Sequence, residues 1–163
     1  MDTVKVDLAV IGAGPAGQKG AIQGAKAGKK VTLIDRLGLL GGASLHTGTI
    51  PSKTLRMAII DLTGFLQSAY YGQEQKTARE ISMKDLTFRV NKVIADENTL
   101  LTEQCAGNGV EVIYGTARFA GPHTLEVLDA QGQISHLLEA EKILIAVGSK
   151  PRSTNSTYWS SKP

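Results

Sequence analysis

Six residues near the start of the chain carry the clearest chemical signal. Gly12-Ala13-Gly14-Pro15-Ala16-Gly17 has the spacing G-x-G-x-x-G, which suits the pyrophosphate of a dinucleotide. The first glycine permits a tight turn, Gly14 lets backbone approach the phosphates, and Gly17 lets a helix pack closely on a strand. The first turn of that helix, which includes Pro15 and Ala16, adds free N–H groups and partial positive charge. About 20 residues on, Asp35 stands where a carboxylate would accept hydrogen bonds from the adenosine ribose hydroxyls. An acid there disfavours a 2′-phosphate, which argues against NADP in this fold. Arg36 beside it is counted with the site, its guanidinium expected in solvent. The fingerprint implies an adenine dinucleotide and leaves FAD and NAD both open.

These residues need particular elements to hold them. Val4–Ile11 reads as a strand, Pro15–Ala27 as a helix that Gly28 ends, and Val31–Asp35 as a short buried strand of the parallel kind. Together they predict a βαβ unit with a right-handed crossover. Gly17, Gly20, Ala21, Gly24 and Ala25 recur at helical spacing, a small-residue stripe suited to close packing on a sheet. A Gly-rich loop spans residues 37–48, and helices are predicted over about Pro51–Tyr70 and Met83–Cys105. The second has an apolar side of Leu86, Val90, Val93, Ile94, Leu100 and Leu101. Residues 72–82 read as their exposed connection. Val110–Tyr114 predicts a strand, and Leu125–Leu128 with Ile134–Leu138 a hairpin about a turn at Ala130–Gln133. Lys142–Val147 predicts a final buried strand ending at Gly148. The expected fold is α/β and Rossmann-like, with a central parallel sheet and a β-hairpin or meander insertion. One domain is expected over residues 1–152, with an unstructured tail over 153–163 where Ser and Thr dominate.

The chain has 163 residues, 42% hydrophobic and 20% charged, enough to bury a core. Its 18 glycines exceed the roughly 7% average usage, and the clusters at 12–28 and 38–48 suggest close backbone approach to a ligand. The net charge of +3 is spread out, with no basic run beyond Lys29-Lys30, which argues against nucleic acid as a partner. Cys105 is the single cysteine, so no intrachain disulfide or cysteine metal cluster forms within these residues. No metal is expected. The first residues, with Asp2, Lys5 and Asp7, read as a strand rather than a signal peptide, and no apolar stretch is long enough to cross a bilayer. A soluble, cytoplasmic protein without a membrane partner is expected.

Residues Gly41–Arg56 read GGASLHTGTIPSKTLR. This segment resembles the one that carries a redox disulfide beside the flavin in class-I pyridine nucleotide-disulfide oxidoreductases, the family of dihydrolipoamide dehydrogenase, glutathione reductase and mercuric reductase. The similarity is closest to that family's soluble pyridine nucleotide transhydrogenases, where GTIPSK replaces a motif with a second cysteine. It runs from about Val6 to Arg152. GTARFAGPHTLEV at 115–127 resembles the adenine-side strand, and ILIAVGSKPR at 143–152 the late flavin-domain motif, with Val147 in place of the usual threonine. The resemblance implies FAD in the first fold, with Gly41, Gly42, Ser44, Thr49, Ala117 and Gly148 among its contacts. It also implies that Lys53 lies at the flavin N5 edge as the catalytic residue, its charge stabilising the anionic reduced ring.

Departures from the family pattern narrow the chemistry. Ser44 and Thr49 stand where disulfide reductases have cysteines, and neither can form a thiolate or a disulfide. The resemblance then implies hydride transfer between NADPH and NAD+ through FAD. His46 is expected to pack or hydrogen-bond near the ring, and His123 and His136 form no constellation. The family is homodimeric, with nicotinamide and dimerisation domains expected beyond Arg152. No second G-x-G-x-x-G follows a strand in residues 36–163, so the chain is expected to be a truncated first part lacking the NAD(P) site. A non-catalytic FAD- or adenine-nucleotide-binding module and an inactive truncation remain as alternatives.

Overall fold

The computed structural model of the chain describes residues 3–63 and 82–149. Apolar, β-branched stretches form β1 (Thr3–Ile11) and β2 (Val31–Asp35), joined by the small-residue helix α1 (Pro15–Lys26). Three further helices follow: α2 (Gly42–His46), α3 (Thr49–Thr63) and α4 (Met83–Gly107). The chain then forms β3 (Glu111–Tyr114), β4 (Thr116–Phe119), β5 (Thr124–Leu128) and β6 (Ile134–Ile145). Among the described residues no helix is long and apolar enough to cross a membrane.

The strands make one sheet in the order β3-β2-β1-β6-β5-β4. The first four are parallel, and β5 runs antiparallel to both β6 and β4. Gly115 alone separates β3 from β4, yet these strands lie at opposite edges. The sheet therefore curls until the β4–β5–β6 meander covers one face of the parallel strands. The core on that face confirms it: Val6, Ala9, Ile34 and Ile113 pack with Leu125, Val127, Leu138 and Ala140. On the other face Val10, Val31 and Leu33 pack with Ala21 and Ile22 of α1 and Cys105 of α4. Both faces of β2 are thus covered, which explains its unbroken VTLID run. Its one buried hydroxyl, on Thr32, donates to the Glu111 carboxylate at 3.2 Å.

The glycines of α1 set its distance from the sheet. A Cβ on Gly20 would lie 2.4 Å from Leu144 Cδ2, and one on Gly24 2.8 Å from Leu8 Cδ2. The helix backbone therefore rests directly on β1 and β6, as the small-residue stripe implies.

β6 departs from expectation. It is one strand over Ile134–Ile145, not a hairpin arm followed by a separate buried strand at Lys142–Val147. Its middle pairs with β5 on one side and β1 on the other, so Leu138 faces both Leu125 and Val4. Its end is not buried: Leu144, Ile145 and Val147 are exposed. The Gly-rich stretch contains α2, and α3 starts two residues before Pro51. Proline fits there because first-turn N–H groups have no intrahelical acceptor to lose. The expected end of that helix at Tyr70, the connection before Ser82 and the tail at 153–163 lie outside the described residues. α4 begins at Met83 as expected, fixed by a capping box between Ser82 and Asp85, and runs to Gly107. Its apolar row is mostly half-buried, with Leu100 exposed and Cys105 buried.

Gly115 allows the curl, since a Cβ there would lie 2.5 Å from Val127 Cγ1 and 2.6 Å from the Leu128 carbonyl oxygen. Gly115→Val is expected to cost about 1–3 kcal/mol by overpacking. Gly107→Ala, with open space around the new methyl, should instead stabilise by about 0.4–1 kcal/mol. Thermal unfolding followed by circular dichroism checks the opposite signs, and equal shifts would count against the curled sheet. Burial pushes the Cys105 thiol up from its ordinary pKa. The native thiol should therefore react with iodoacetamide only after unfolding, in a mass-spectrometric time course. The unfolded thiol ionises first as pH rises, so this group's contribution to stability is full below the unfolded thiol's range and is lost as pH rises from there through the higher folded one.

Candidate functional site

β1 ends at Ile11 and the chain turns at Gly12, whose φ is +103°. The Gly12 N–H donates to the Ile34 carbonyl at 2.8 Å. A Cβ here would lie 2.4 Å from the Ala146 carbonyl oxygen and 3.1 Å from Val147 Cα. Conformation and space both demand glycine. At Gly17 a Cβ would fall 1.8 Å from the Gly12 carbonyl oxygen, so this position seats α1 against the turn. Gly14 is different. Its φ of −71° suits any residue, and a Cβ there would meet nothing within 4 Å. The missing side chain at Gly14 serves nothing inside the fold and leaves room outside it. Pro15 and Ala16 are exposed in the first turn of α1, which has no side-chain cap and no acidic residue. That helix end keeps its free N–H groups and partial positive charge.

Asp35, at the end of β2, braces the turn. Its Oδ2 accepts from the Ala13 N–H and its Oδ1 from the Leu37 N–H, both at 2.8 Å. Each carboxylate oxygen can accept a further hydrogen bond, which leaves capacity for a hydroxyl from outside the chain. The Asp35 carbonyl accepts from the Gly115 N–H at 2.8 Å, which ties the β3–β4 junction to the same strand end. Arg36 is exposed beside it.

The second glycine cluster closes on the first. Gly41, at φ +103°, donates its N–H to the Ala13 carbonyl at 2.9 Å. A Cβ on Gly42 would lie 2.8 Å from Gly14 Cα. The preceding Leu40 carbonyl is held by His46 Nε2 at 2.7 Å and Asn98 Nδ2 at 3.3 Å. A carbonyl only accepts, so His46 carries its proton on Nε2 in this contact. Ser44 donates its hydroxyl to the Gly41 carbonyl at 2.9 Å.

The structure thus brings Gly12, Gly14, Pro15, Ala16, Gly17, Asp35, Gly41 and Gly42 together. Gly148, at φ +69°, is exposed just past the Ala146–Val147 segment that roofs Gly12. Ala117 lies on β4 with its methyl packed partly into the meander-side core. Ser44 and Thr49 fall on separate helices, and Thr49 and Lys53 are exposed on α3. Sequence reasoning missed Ala13, both of whose backbone groups are bonded, and also Gln18, Leu40 and Asn98. Gln18 left a faint signal as an amide between the small residues of α1, whereas Leu40 acts through its backbone and left none. Asp35→Asn should cost about 2 kcal/mol of stability, because an amide has a single acceptor oxygen for the two N–H groups. Chemical denaturation of the ligand-free chain measures this, and an unchanged midpoint would deny Asp35 its bracing role.

Residues 6–157 match the family described as pyridine nucleotide-disulphide oxidoreductase. The chain is also similar to proteins named soluble pyridine nucleotide transhydrogenase. The one from Mycobacterium tuberculosis (strain ATCC 25177 / H37Ra) is 42% identical over 145 residues, which is 89% of this chain and 31% of the relative. Those from Ectopseudomonas mendocina (strain ymp) and Marinomonas sp. (strain MWYL1) are 38% and 36% identical over 151 residues, 93% of this chain and 32% of each relative. The chain spans about a third of the length of these curated relatives. With the family match extending over the glycine turn, Asp35, the second glycine cluster and the meander, the chain belongs to the pyridine nucleotide-disulphide oxidoreductase family.

Proposed function

We propose that this chain is the FAD-holding part of a flavin-dependent transhydrogenase that moves hydride between NADPH and NAD+. The observation that carries the reading is the open Gly14 position. It lies between the uncapped start of α1 and Gly42, beside a turn braced by Asp35. That arrangement fits a pyrophosphate: backbone donors, partial positive charge and space, with no acidic side chain in the first helical turn. The names of the relatives favour the transhydrogenase reading over other flavin chemistry.

In this reading each residue has a limited task. Gly14, Pro15, Ala16 and the first turn of α1 hold the pyrophosphate, Gly12 and Gly17 shape the turn, and Asp35 accepts the ribose hydroxyls, with Arg36 alongside. Gly41, Gly42, Ser44, Thr49, Ala117 and Gly148 complete the contacts around the cofactor. FAD supplies a centre that takes up and releases a hydride. Lys53 contributes a positive charge that favours the electron-rich state of that centre. Ser44 and Thr49 hold hydroxyls that neither ionise near neutral pH nor pair as a disulfide. Cys105 sits buried in the helix-side core. The electron pair therefore has no thiol route among these residues, and direct exchange with nicotinamides is what remains. A cytoplasmic homodimer with small dinucleotides as ligands, built around a domain over residues 1–152, is the corresponding whole-protein proposal.

FAD titration of the purified chain, followed by flavin fluorescence, tests the site. Gly14→Val should abolish binding while leaving the circular dichroism spectrum that of the folded parent, since a Cβ there meets nothing within 4 Å. Parental binding by this variant would sink the assignment. The chain alone should show no steady-state reduction of an NAD analogue by NADPH, because residues 36–163 hold no second G-x-G-x-x-G after a strand and unpositioned nicotinamide reacts slowly. Robust turnover lost in Gly14→Val would reveal a nicotinamide site in this chain.

A further inference from the structure

We propose that Gln18 is a positioning residue that aims the Gly14 N–H at the pyrophosphate, an inference that rests on the FAD reading above. Gln18 is 4% exposed, an amide buried in the face of α1 that meets the turn. Burying an amide is costly unless its polar atoms are bonded, and its Nε2 donates to the Ala13 carbonyl at 2.7 Å. The same carbonyl accepts from the Gly41 N–H at 2.9 Å. Two donors occupy both lone pairs of that oxygen and fix its direction.

The consequence follows from the planarity of the peptide. No described peptide bond is cis, and in a trans peptide the C=O and the following N–H point in opposite directions. With the Ala13 carbonyl turned toward Gln18 and Gly41, the Gly14 N–H is turned away from both. No acceptor among the described residues takes that N–H. It is left for a ligand, beside the one glycine of the turn whose side-chain space is empty.

The same geometry operates one peptide earlier. His46 and Asn98 draw the Leu40 carbonyl one way, so the Gly41 N–H on that peptide points the other way, at Ala13. Two peptide planes thus relay orientation from α2 and α4 to Gly14, and hydrogen bonds in such a chain polarise one another. The Ala13 N–H is independently held by Asp35. Ala13 is therefore fixed at both ends before any ligand arrives, which spares binding the cost of ordering it. Among the described residues, Gln18 is the one side chain that bonds this carbonyl directly. A methionine there would fill similar volume with no donor, and a glutamate would set one acceptor against another.

The test compares the parent with Gln18→Met, Gln18→Glu and Asn98→Ala, with Ile22→Val as a control that loosens the same helix without touching the relay. Each is titrated with FAD, melted, and examined by 31P NMR of the bound pyrophosphate. Gln18→Met is expected to weaken FAD about tenfold, the loss of roughly one oriented hydrogen bond, and to move the pyrophosphate signals. Gln18→Glu should lose more, and Asn98→Ala less but in the same direction, with the same signals moving. Ile22→Val should lower the melting temperature without moving them. Parental affinity and an unmoved 31P spectrum in Gln18→Met overturn the proposal. So does an affinity loss that tracks melting temperature equally in Gln18→Met and Ile22→Val. If Gln18→Met does not fold, Asn98→Ala decides by the same two readouts. A parent that binds no FAD removes the functional reading together with this one, whereas a binding parent with an indifferent Gln18→Met removes this one alone.

Discussion

β1 is hydrogen-bonded on both sides by parallel partners, β2 and β6, and the remaining placements follow from that. Parallel neighbours cannot be joined by a tight turn and need a crossover, which α1 provides between β1 and β2. Parallel strands buried on both faces need two covering layers. Here α1 and α4 form one, and the curled meander forms the other. The crevice outside the carboxyl ends of such strands is where open α/β sheets bind ligands. Gly12 opens that end of β1, and Asp35 closes the adjacent end of β2.

The glycines divide by what they accommodate. Gly12, Gly17, Gly20 and Gly24 each admit a neighbour of this chain at a distance a side chain would block. Gly14 admits nothing from the chain itself. Folding therefore demands glycine at Gly12 and Gly17 but not at Gly14, within one short motif. A turn that was only structural would have no need of glycine at Gly14, and the proposed function rests on that difference.

Much of this was legible in the sequence because it rests on local signals. The alternation from strand to glycine turn to small-residue helix is read within a few residues, and Asp35 follows at a fixed distance. α2 escaped because a five-residue helix has too little periodicity to show. The sequence divides β6 because Glu139 and Glu141 interrupt its apolar run, and a strand flanked on both sides can still expose those side chains to solvent. The curl of the sheet depends on pairing between residues far apart in the chain, which no local window contains. Ala13 and Leu40 act through backbone carbonyls, and a carbonyl has no letter in the sequence. Family resemblance, rather than periodicity, marked the stretch that holds β4.

The roof over Gly12 also has a kinetic meaning. The turn is written within the first residues of the chain, but Ala146, at the outgoing end of β6, encloses it. Pairings of such sequence separation form slowly, because the intervening chain must lose its freedom before the contact rewards it. During synthesis, the first strand and its glycine turn would emerge long before their last neighbour does. Enclosure of the glycine turn is then a late event in folding, completed only when the two ends of the described chain have met.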